Sequence, residues 1–290
     1  MKISTLFQRF YLPLKLRTAS DHGRRLHLVS IRNFERFLCR PANLSHFSDD
    51  NLLGFLAWHL ERGNSPYTAN RDASRLLAQW RLACRLGLRK TWPEFSKLPE
   101  PRREAMAWSR QQLASLFAAL LRQKGRIAGI PAADWWLALH WLLWVTGERI
   151  GALLALEWCA YEADGWLYVP AEARKGQTAD RVFRLSVAAC AAVEAIRLPP
   201  RRLIFPWDRD RSVLWWRYKR ILRAAGLPHD RKSMFHRMRK STASYYEAAG
   251  GDATELLGHS ERKVTMAYLD ARIVVRTHAA DVLFDPRGGD

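Results

Sequence analysis

A proline-containing basic segment divides this chain and limits what it can fold into. Three prolines and several lysine and arginine residues lie within residues 90–107. Proline fixes φ and lacks an N–H donor, so this segment cannot be helical throughout. Apolar residues recur at helical spacing on both sides of it. We therefore predict two domains joined by an extended linker: residues 1–92, 93–107 and 108–290.

Serine N-caps predict three helices in the first domain. Ser20, Ser48 and Ser65 each precede a run of apolar residues at helical spacing, and Pro66 suits a first helical position. Residues 1–16 are basic and apolar but are interrupted by a proline. We interpret them as an irregular terminus rather than a targeting segment.

The second domain is predicted to be rich in helices around a small antiparallel sheet. A nearly all-apolar helix that includes Trp135 and Trp136 is typical of the centre of a core. Two short β-like runs, at residues 166–170 and 181–185, flank a polar segment and indicate a hairpin. Further helices are predicted at about 186–197, 210–225, 235–249 and 277–284. The predicted fold class is therefore mainly α.

Net charge indicates the kind of partner. The chain carries a formal charge of +19, and 48% of its residues are hydrophobic. A chain that can fold but is this basic is expected to present its charge to a polyanion. We favour nucleic acid over a membrane, because no helix sets Lys and Arg opposite a Trp/Leu face. No apolar run approaches the roughly 20 residues that cross a bilayer.

The cysteines favour neither a metal site nor a disulfide framework. Cys39, Cys84, Cys159 and Cys190 lie far apart and form no C-x-x-C pair. Without a secretory signal, disulfides are not expected. We predict buried, reduced thiols in a cytoplasmic protein.

Short motifs in the second domain bring together the side chains that phosphodiester chemistry needs. They are a T-G-E-R turn at residues 146–149, a lysine beside a glycine in the hairpin, H-R-M-R at 236–239, L-G-H at 257–259 and a tyrosine nine residues later. A tyrosine that cuts a phosphodiester without a metal requires such cations and acid–base groups. The candidate residues are Arg149, Lys175, His236, Arg239, His259 and Tyr268.

In order and spacing these motifs resemble those of the tyrosine recombinases, the phage integrase family. The resemblance covers roughly residues 105–285, and residues 20–90 more loosely resemble the family's SAM-like, core-binding helical domain. It implies a site-specific recombinase or integrase that cleaves and rejoins double-stranded DNA through a 3′-phosphotyrosyl intermediate. It also implies a homo-tetramer on paired DNA sites, with neither metal nor cofactor.

The resemblance gives each candidate a role. Tyr268, placed in a last helical piece at residues 264–269, would be the nucleophile. Arg149 and Arg239 would hold the non-bridging oxygens of the scissile phosphate, because guanidinium forks remain charged and rigid. His236 would accept the phenol proton. His259 would donate a hydrogen bond to a phosphate oxygen, and Lys175 would protonate the leaving 5′ oxygen.

Several alternatives remain open at this point. Tyr245 and Tyr246 are competing phenols, which we interpret as packing residues, and Lys175 could serve only to contact backbone phosphate. The family usually has an acid three residues after the first arginine, where this chain has Ala152. The segment between Arg239 and His259 is also slightly short. Rival functions are a type IB topoisomerase and an inactive DNA-binding relative.

Overall fold

The computed structural model describes residues 1–101, 103–174, 176, 179–275, 277 and 282–283. It divides the chain into two compact units, Met1–Arg102 and Arg103–Asp290. A DNA-binding role for the first domain and a catalytic role for the second remain predictions. The helix predicted over residues 277–284 lies almost wholly outside the described residues.

The first unit is built from helices. Serine side chains cap its three long helices, since the hydroxyls of Ser20, Ser48 and Ser65 each accept a backbone N–H from the first turn. The helices are α1 (Ile3–Leu6), α2 (Leu12–Lys15), α3 (Asp21–Leu38), α4 (Asp49–Glu61) and α5 (Pro66–Arg85).

The irregular terminus predicted for residues 1–16 is wrong. A π-helical turn, Phe7–Tyr11, joins α1 to α2, so that the helical path is nearly continuous. Pro13 lies in the first turn of α2, directly after the widened turn, where a missing N–H is tolerated. Ile3, Leu6 and Phe7 are at most 2% exposed. Burial of these apolar side chains stabilises the segment against the core of the unit.

Residues 91–98 run without helix or strand along the first unit. The carbonyl oxygen of Thr91 accepts the indole N–H of Trp80 at 2.7 Å. The side chain of Asn70 pairs with both backbone groups of Leu98, at 2.8 and 2.9 Å. These bonds satisfy buried polar groups and fix the extended segment to α5.

The second unit packs its helices around α7. Trp135 and Trp136 of this helix are at most 1% exposed, in agreement with the central position predicted from its apolar sequence. The helices are α6 (Arg110–Leu121), α7 (Ala132–Thr146), α8 (Ile150–Leu153), α9 (Val187–Glu194), α10 (Arg211–Ala224), α11 (Phe235–Ala248), α12 (Ala253–Leu257), α13 (Arg262–Met266) and α14 (Ala271–Val274).

Two small antiparallel sheets complete this unit. Strands β1 (Arg126–Ile127) and β2 (Ile130–Pro131) form a short pair that was not predicted, closed by Ala128 and Gly129 at positive φ. Strands β3 (Trp166–Val169) and β4 (Arg181–Arg184) form the predicted hairpin. The predicted fold class, mainly α with a small antiparallel sheet, is confirmed.

The prediction that all four cysteines are buried is wrong. Cys39 and Cys159 are exposed, Cys190 is half-buried and Cys84 is buried, and all four are free. Cys39 ends α3 in the left-handed conformation, with φ of 53°. It therefore sits at a helix terminus, where the chain turns at the surface.

Two features are absent from the described part of the chain. Its helices include none with the length and apolar character that crossing a membrane requires. No three histidine, cysteine or acidic side chains of the described residues are grouped so that they could hold a metal ion.

Candidate active site

A glycine turn at the end of α7 positions Arg149. Thr146 Oγ1 donates to the carbonyl of Leu142 at 2.6 Å and accepts the N–H of Glu148 at 3.1 Å. Gly147 adopts φ of 62°, and a Cβ there would lie 3.1 Å from a methyl carbon of Leu257. Both the backbone conformation and the close approach therefore favour glycine. Arg149 follows as the N-cap of α8 and is half-buried.

Arg239, on α11, joins this turn to the end of α12. Its side chain is buried, and the two Nη atoms donate to the carbonyls of Gly147 at 2.5 Å and Leu257 at 2.9 Å. Burial, with the nearby charge of Arg149, lowers the pKa of Arg239 to about 10. The guanidinium is still charged at neutral pH, and the two bonds fix its orientation.

The L-G-H motif places His259 against Arg239. Gly258 ends α12 in the left-handed conformation, with φ of 64°. His259 Nε2 lies 3.3 Å from an Nη of Arg239, and Nδ1 lies 3.0 Å from Thr265 Oγ1. Because arginine can only donate, we assign Nε2 as the acceptor and Nδ1–H as the donor. In this arrangement His259 accepts from Arg239, and the hydrogen bond to a phosphate oxygen that the resemblance implies stays a prediction.

The ring of Tyr268 lies close to the rings of His236 and His259 and to the guanidinium of Arg239. It lies in a turn after α13, not within a helix as predicted, and its N–H donates to Thr265 at 2.7 Å. Its ring centroid lies 5.0 Å from that of His236 and 4.9 Å from that of His259. The Arg239 guanidinium carbon lies 5.5 Å from the same ring.

A buried polar network anchors the backbone on the C-terminal side of Tyr268. Ser244 Oγ, on α11, accepts the N–H of Asp270 at 2.9 Å, and its single proton is shared between the carbonyls of Lys240 at 2.8 Å and Tyr268 at 3.3 Å. The buried carboxylate of Asp270 accepts the N–H of Ala107 at 2.8 Å and caps α14 through Arg272. The tyrosine is thus held from α11 and from the start of the unit.

His236 opens α11 and keeps part of its surface in solvent. Desolvation by the surrounding protein, followed by the positive charges of Lys240, Arg239 and Arg149, lowers the pKa of His236 to about 4. Desolvation, Arg239 and Arg149 lower the pKa of His259 to about 4 as well. Both imidazoles are therefore neutral near pH 7.

Arg149, His236 and Arg239 line a common cavity of about 180 Å³. Two buried guanidinium nitrogens of these residues, Arg149 Nη1 and Arg239 Nε, have no hydrogen-bond partner within the described part of the protein. Leaving a buried donor unpaired costs on the order of 1–3 kcal/mol, and more when it is charged. The arrangement is suited to an anion that would accept from both guanidinium groups. The other lining residues, which the sequence did not single out, are Glu148, Ile150, Trp215 and Phe235.

Glu148 supplies an acidic group that the sequence did not single out. Its carboxylate is buried, receives Arg174 Nε at 2.6 Å and receives the N–H of Arg149 at 3.3 Å. The position at which the family usually has an acid, Ala152, is packed in the core. The sequence signal that could have indicated this buried acidic group is the location of Glu148 in the T-G-E-R motif, directly before the candidate Arg149.

The competing phenols lie elsewhere. Tyr245 and Tyr246 line a different groove of about 550 Å³, and Tyr245 packs on Trp144 with centroids 5.7 Å apart. The structure thus brings together Arg149, His236, Arg239, His259 and Tyr268. Lys175 lies outside the described residues.

Solved structures with the same architecture identify the fold. A lambda integrase dimer bound to a COC' core site matches with a TM-score of 0.74 and 20% identity, covering 96% of this chain and 98% of that one. The Tn1549 transposon integrase in complex with transposon right end DNA matches with a TM-score of 0.76 and 15% identity, covering 97% of each chain. This chain has the integrase fold.

A further integrase-fold match comes from an assembled complex. A lambda integrase tetramer bound to a Holliday junction matches with a TM-score of 0.72 and 20% identity, covering 94% of this chain and 78% of that one. At the level of sequence, no family model and no curated protein matches the chain. The resemblance inferred from the motifs is therefore confirmed through the fold.

Proposed function

We propose that this protein is a tyrosine-type site-specific DNA recombinase or integrase that works through a 3′-phosphotyrosyl intermediate. The observation that carries the proposal is that Arg149, His236 and Arg239 line one cavity, while the Arg239 guanidinium carbon lies 5.5 Å from the centroid of the Tyr268 ring. The integrase fold supports it, because this arrangement lies in a chain that matches DNA-bound integrases over most of its length.

In this mechanism Arg149 and Arg239 bind the non-bridging oxygens of the scissile phosphate. Negative charge on these oxygens increases in the pentacoordinate transition state, so fixed donors stabilise it more than the ground state. The bonds from Arg239 to Gly147 and Leu257 hold its fork in place before DNA arrives. The arginines neutralise charge that metal ions neutralise in other nucleases.

Proton transfer involves the groups on either side of the phosphate. The phenol of Tyr268 must lose its proton as it attacks, and we assign neutral His236, whose ring centroid lies 5.0 Å from that of Tyr268, as the acceptor. His259 holds Arg239 through Nε2. Lys175 would protonate the leaving 5′ oxygen, because an alkoxide is a poor leaving group.

Double-stranded DNA is the proposed partner. The net charge of +19 supports it, and the lambda and Tn1549 integrases of the matching structures are bound to DNA. A tetramer on paired sites is proposed from the lambda integrase tetramer bound to a Holliday junction. Relaxation of a supercoiled plasmid without a specific site, by a monomer, would instead indicate a type IB topoisomerase.

The decisive experiment traps the covalent intermediate. Nicked duplexes built from the DNA flanking the gene are incubated with protein in EDTA without ATP, and adducts are resolved on a denaturing gel. We expect an adduct with wild-type protein and with Tyr245→Phe. We expect none with Tyr268→Phe, which keeps the ring and loses only the attacking oxygen.

An adduct formed by Tyr268→Phe would assign the nucleophile to another residue. Adduct formation that requires Mg²⁺ would contradict the mechanism. Binding without any adduct from the wild-type protein would favour the inactive DNA-binding relative.

A further inference from the structure

One buried side chain lies inside the short helix that connects His259 to Tyr268. All five residues of α13 are described, and of these Thr265 alone is buried, at 0% exposed. Its apolar neighbours in sequence, Val264 and Met266, are 45% and 57% exposed. A surface helix usually turns its apolar residues towards the core. Because α13 turns a threonine inward instead, packing of these two apolar side chains does not account for its position.

The hydroxyl of Thr265 pairs with the imidazole of His259. Thr265 Oγ1 lies 3.0 Å from Nδ1, and Nε2 of the same ring lies 3.3 Å from an Nη of Arg239. The guanidinium can only donate, so the ring proton is on Nδ1 and the threonine oxygen accepts it. A hydroxyl can accept this N–H, whereas a methyl group in the same place could not.

The main chain of Thr265 makes a second contact, with the candidate nucleophile. Its carbonyl oxygen accepts the N–H of Tyr268 at 2.7 Å. The rings of Tyr268 and His259 have centroids 4.9 Å apart. Thr265 thus holds one of these residues through its side chain and the other through its backbone, and a shift of α13 would disturb both.

The position of the His259 proton decides how this ring meets Arg239. With the proton on Nδ1, Nε2 offers a lone pair to the guanidinium N–H. With the proton on Nε2, two donors would face each other across 3.3 Å. The threonine oxygen stabilises the first arrangement, because without it the Nδ1–H of this half-buried ring would lose its acceptor.

We propose that Thr265 is a positioning residue that fixes the Nδ1–H tautomer of His259 and, through it, the contact of His259 with the Arg239 guanidinium. This inference rests on the proposed function and deepens it. Arg239 binds the scissile phosphate in that function, and Thr265 also holds the backbone of Tyr268. One buried residue therefore aligns the phosphate-binding arginine with the nucleophile.

Three variants separate the hydroxyl from the shape of the side chain. Thr265→Val keeps the shape and removes the acceptor, whereas Thr265→Ser keeps the hydroxyl and removes one methyl group. The matched control is Thr242→Val. Thr242 is also buried in the second unit, but its hydroxyl donates to the backbone carbonyls of Leu143 and Met238. Thermal melting verifies that each variant folds.

The first readout is the tautomer of His259 in the protein without DNA. Labelling histidine with ¹⁵N distinguishes the neutral tautomers, because protonated and unprotonated ring nitrogens differ widely in chemical shift, and the signals of His259 are those that disappear in His259→Asn. The pKa of His259 is lowered to about 4, so spectra near pH 7 report the neutral ring. We expect the Nδ1–H tautomer in wild type, Thr265→Ser and Thr242→Val, and the Nε2–H tautomer to replace it in Thr265→Val.

The second readout separates catalysis from binding. Displacement of a catalytic group by about 1 Å can cost roughly 10²-fold in rate, so we expect Thr265→Val to slow single-turnover adduct formation by about that factor at saturating nicked duplex. Its affinity for the duplex should be unchanged, because contacts with many phosphates supply most of the affinity. Thr265→Ser should restore most of the rate, and Thr242→Val should match wild type.

Three outcomes overturn the inference while the proposed function stands. They are an unchanged His259 tautomer in Thr265→Val, a wild-type rate in that variant although the tautomer has changed, and a serine variant as slow as the valine variant. Absence of an adduct from the wild-type protein is a different result, which contradicts the proposed function itself and leaves the tautomer spectra readable.

Discussion

Replacement of Gly147 by alanine should destabilise the second unit and disturb the candidate site together. Gly147 ends α7 with φ of 62°, where an L-residue costs about 1–2 kcal/mol. The new Cβ would lie 3.1 Å from Leu257 Cδ2 and 3.4 Å from Thr242 Cγ2. Such overpacking in a closed core costs a further 1–3 kcal/mol or so. We expect a loss of about 2–4 kcal/mol in the free energy of unfolding.

Gly226→Ala is the matched control for the backbone contribution. Gly226 follows α10 in the same unit with φ of 69°, and a Cβ there would meet nothing within 4 Å. The chain-entropy gain of about 0.4–1 kcal/mol from glycine to alanine applies to both variants. The control should therefore lose about 1 kcal/mol or less, and the difference between the variants isolates the close contact.

Urea unfolding followed by tryptophan fluorescence measures both losses, because both substitutions lie in the unit that holds Trp135 and Trp136. The carbonyl of Gly147 is also the acceptor for Arg239, so adduct formation should slow in Gly147→Ala but not in Gly226→Ala. Equal midpoints for the two variants would refute the argument from close packing. A normal cleavage rate in Gly147→Ala would refute the link between the turn and the arginine.

Asp270→Ala should cost about 2–4 kcal/mol, because it leaves the buried N–H of Ala107 unpaired and removes a helix cap. Asp252→Ala, at an exposed cap, should cost about 0.5–2 kcal/mol, and similar midpoints for the two in urea would contradict this. Burial lowers the pKa of His140 to about 4, so the unfolded chain binds its proton first as pH falls from 6.5. Through His140 alone, stability should therefore decrease by up to about 1.4 kcal/mol per pH unit between pH 6.5 and 4, and His140→Asn should reduce the measured slope by that amount while the contributions of His236 and His259 remain. Log affinity for duplex DNA should fall with log salt with a slope of roughly −5 or steeper, and a flat dependence would exclude DNA as the partner.

Local signals in the sequence predicted most of the architecture. The hydroxyls of Ser20, Ser48 and Ser65 cap the helices that they were predicted to begin. The hairpin of β3 and β4 formed where the β-like runs were found. Such features depend on residues a few positions apart, and the sequence displays these spacings directly.

Features that depend on distant partners were not predictable in the same way. The helical start of the chain was missed because Pro13 indicates a break, whereas the burial of Ile3 and Phe7 outweighs it. The pairing of Glu148 with Arg174 could not be inferred because nothing near either residue specifies the other.

Among the candidate residues, the motifs named five that the fold brings together. The short segment between Arg239 and His259 does not prevent their contact at 3.3 Å. Arg239 reaches the end of α12 through Leu257, so this contact depends on packing between helices rather than on the length of the connection.

Ser244 has a consequence for how cleavage could be controlled. Its hydroxyl holds the carbonyl of Tyr268 and the N–H of Asp270, and it lies on the same helix as His236 and Arg239. With a rise of about 1.5 Å per residue, α11 keeps the distance between these positions nearly constant. The backbone that carries Tyr268 cannot then move away from α11 without breaking these bonds. On the proposed function, switching of a protomer between active and idle states would have to move α11 together with this backbone, rotate the Tyr268 side chain or withhold the DNA strand.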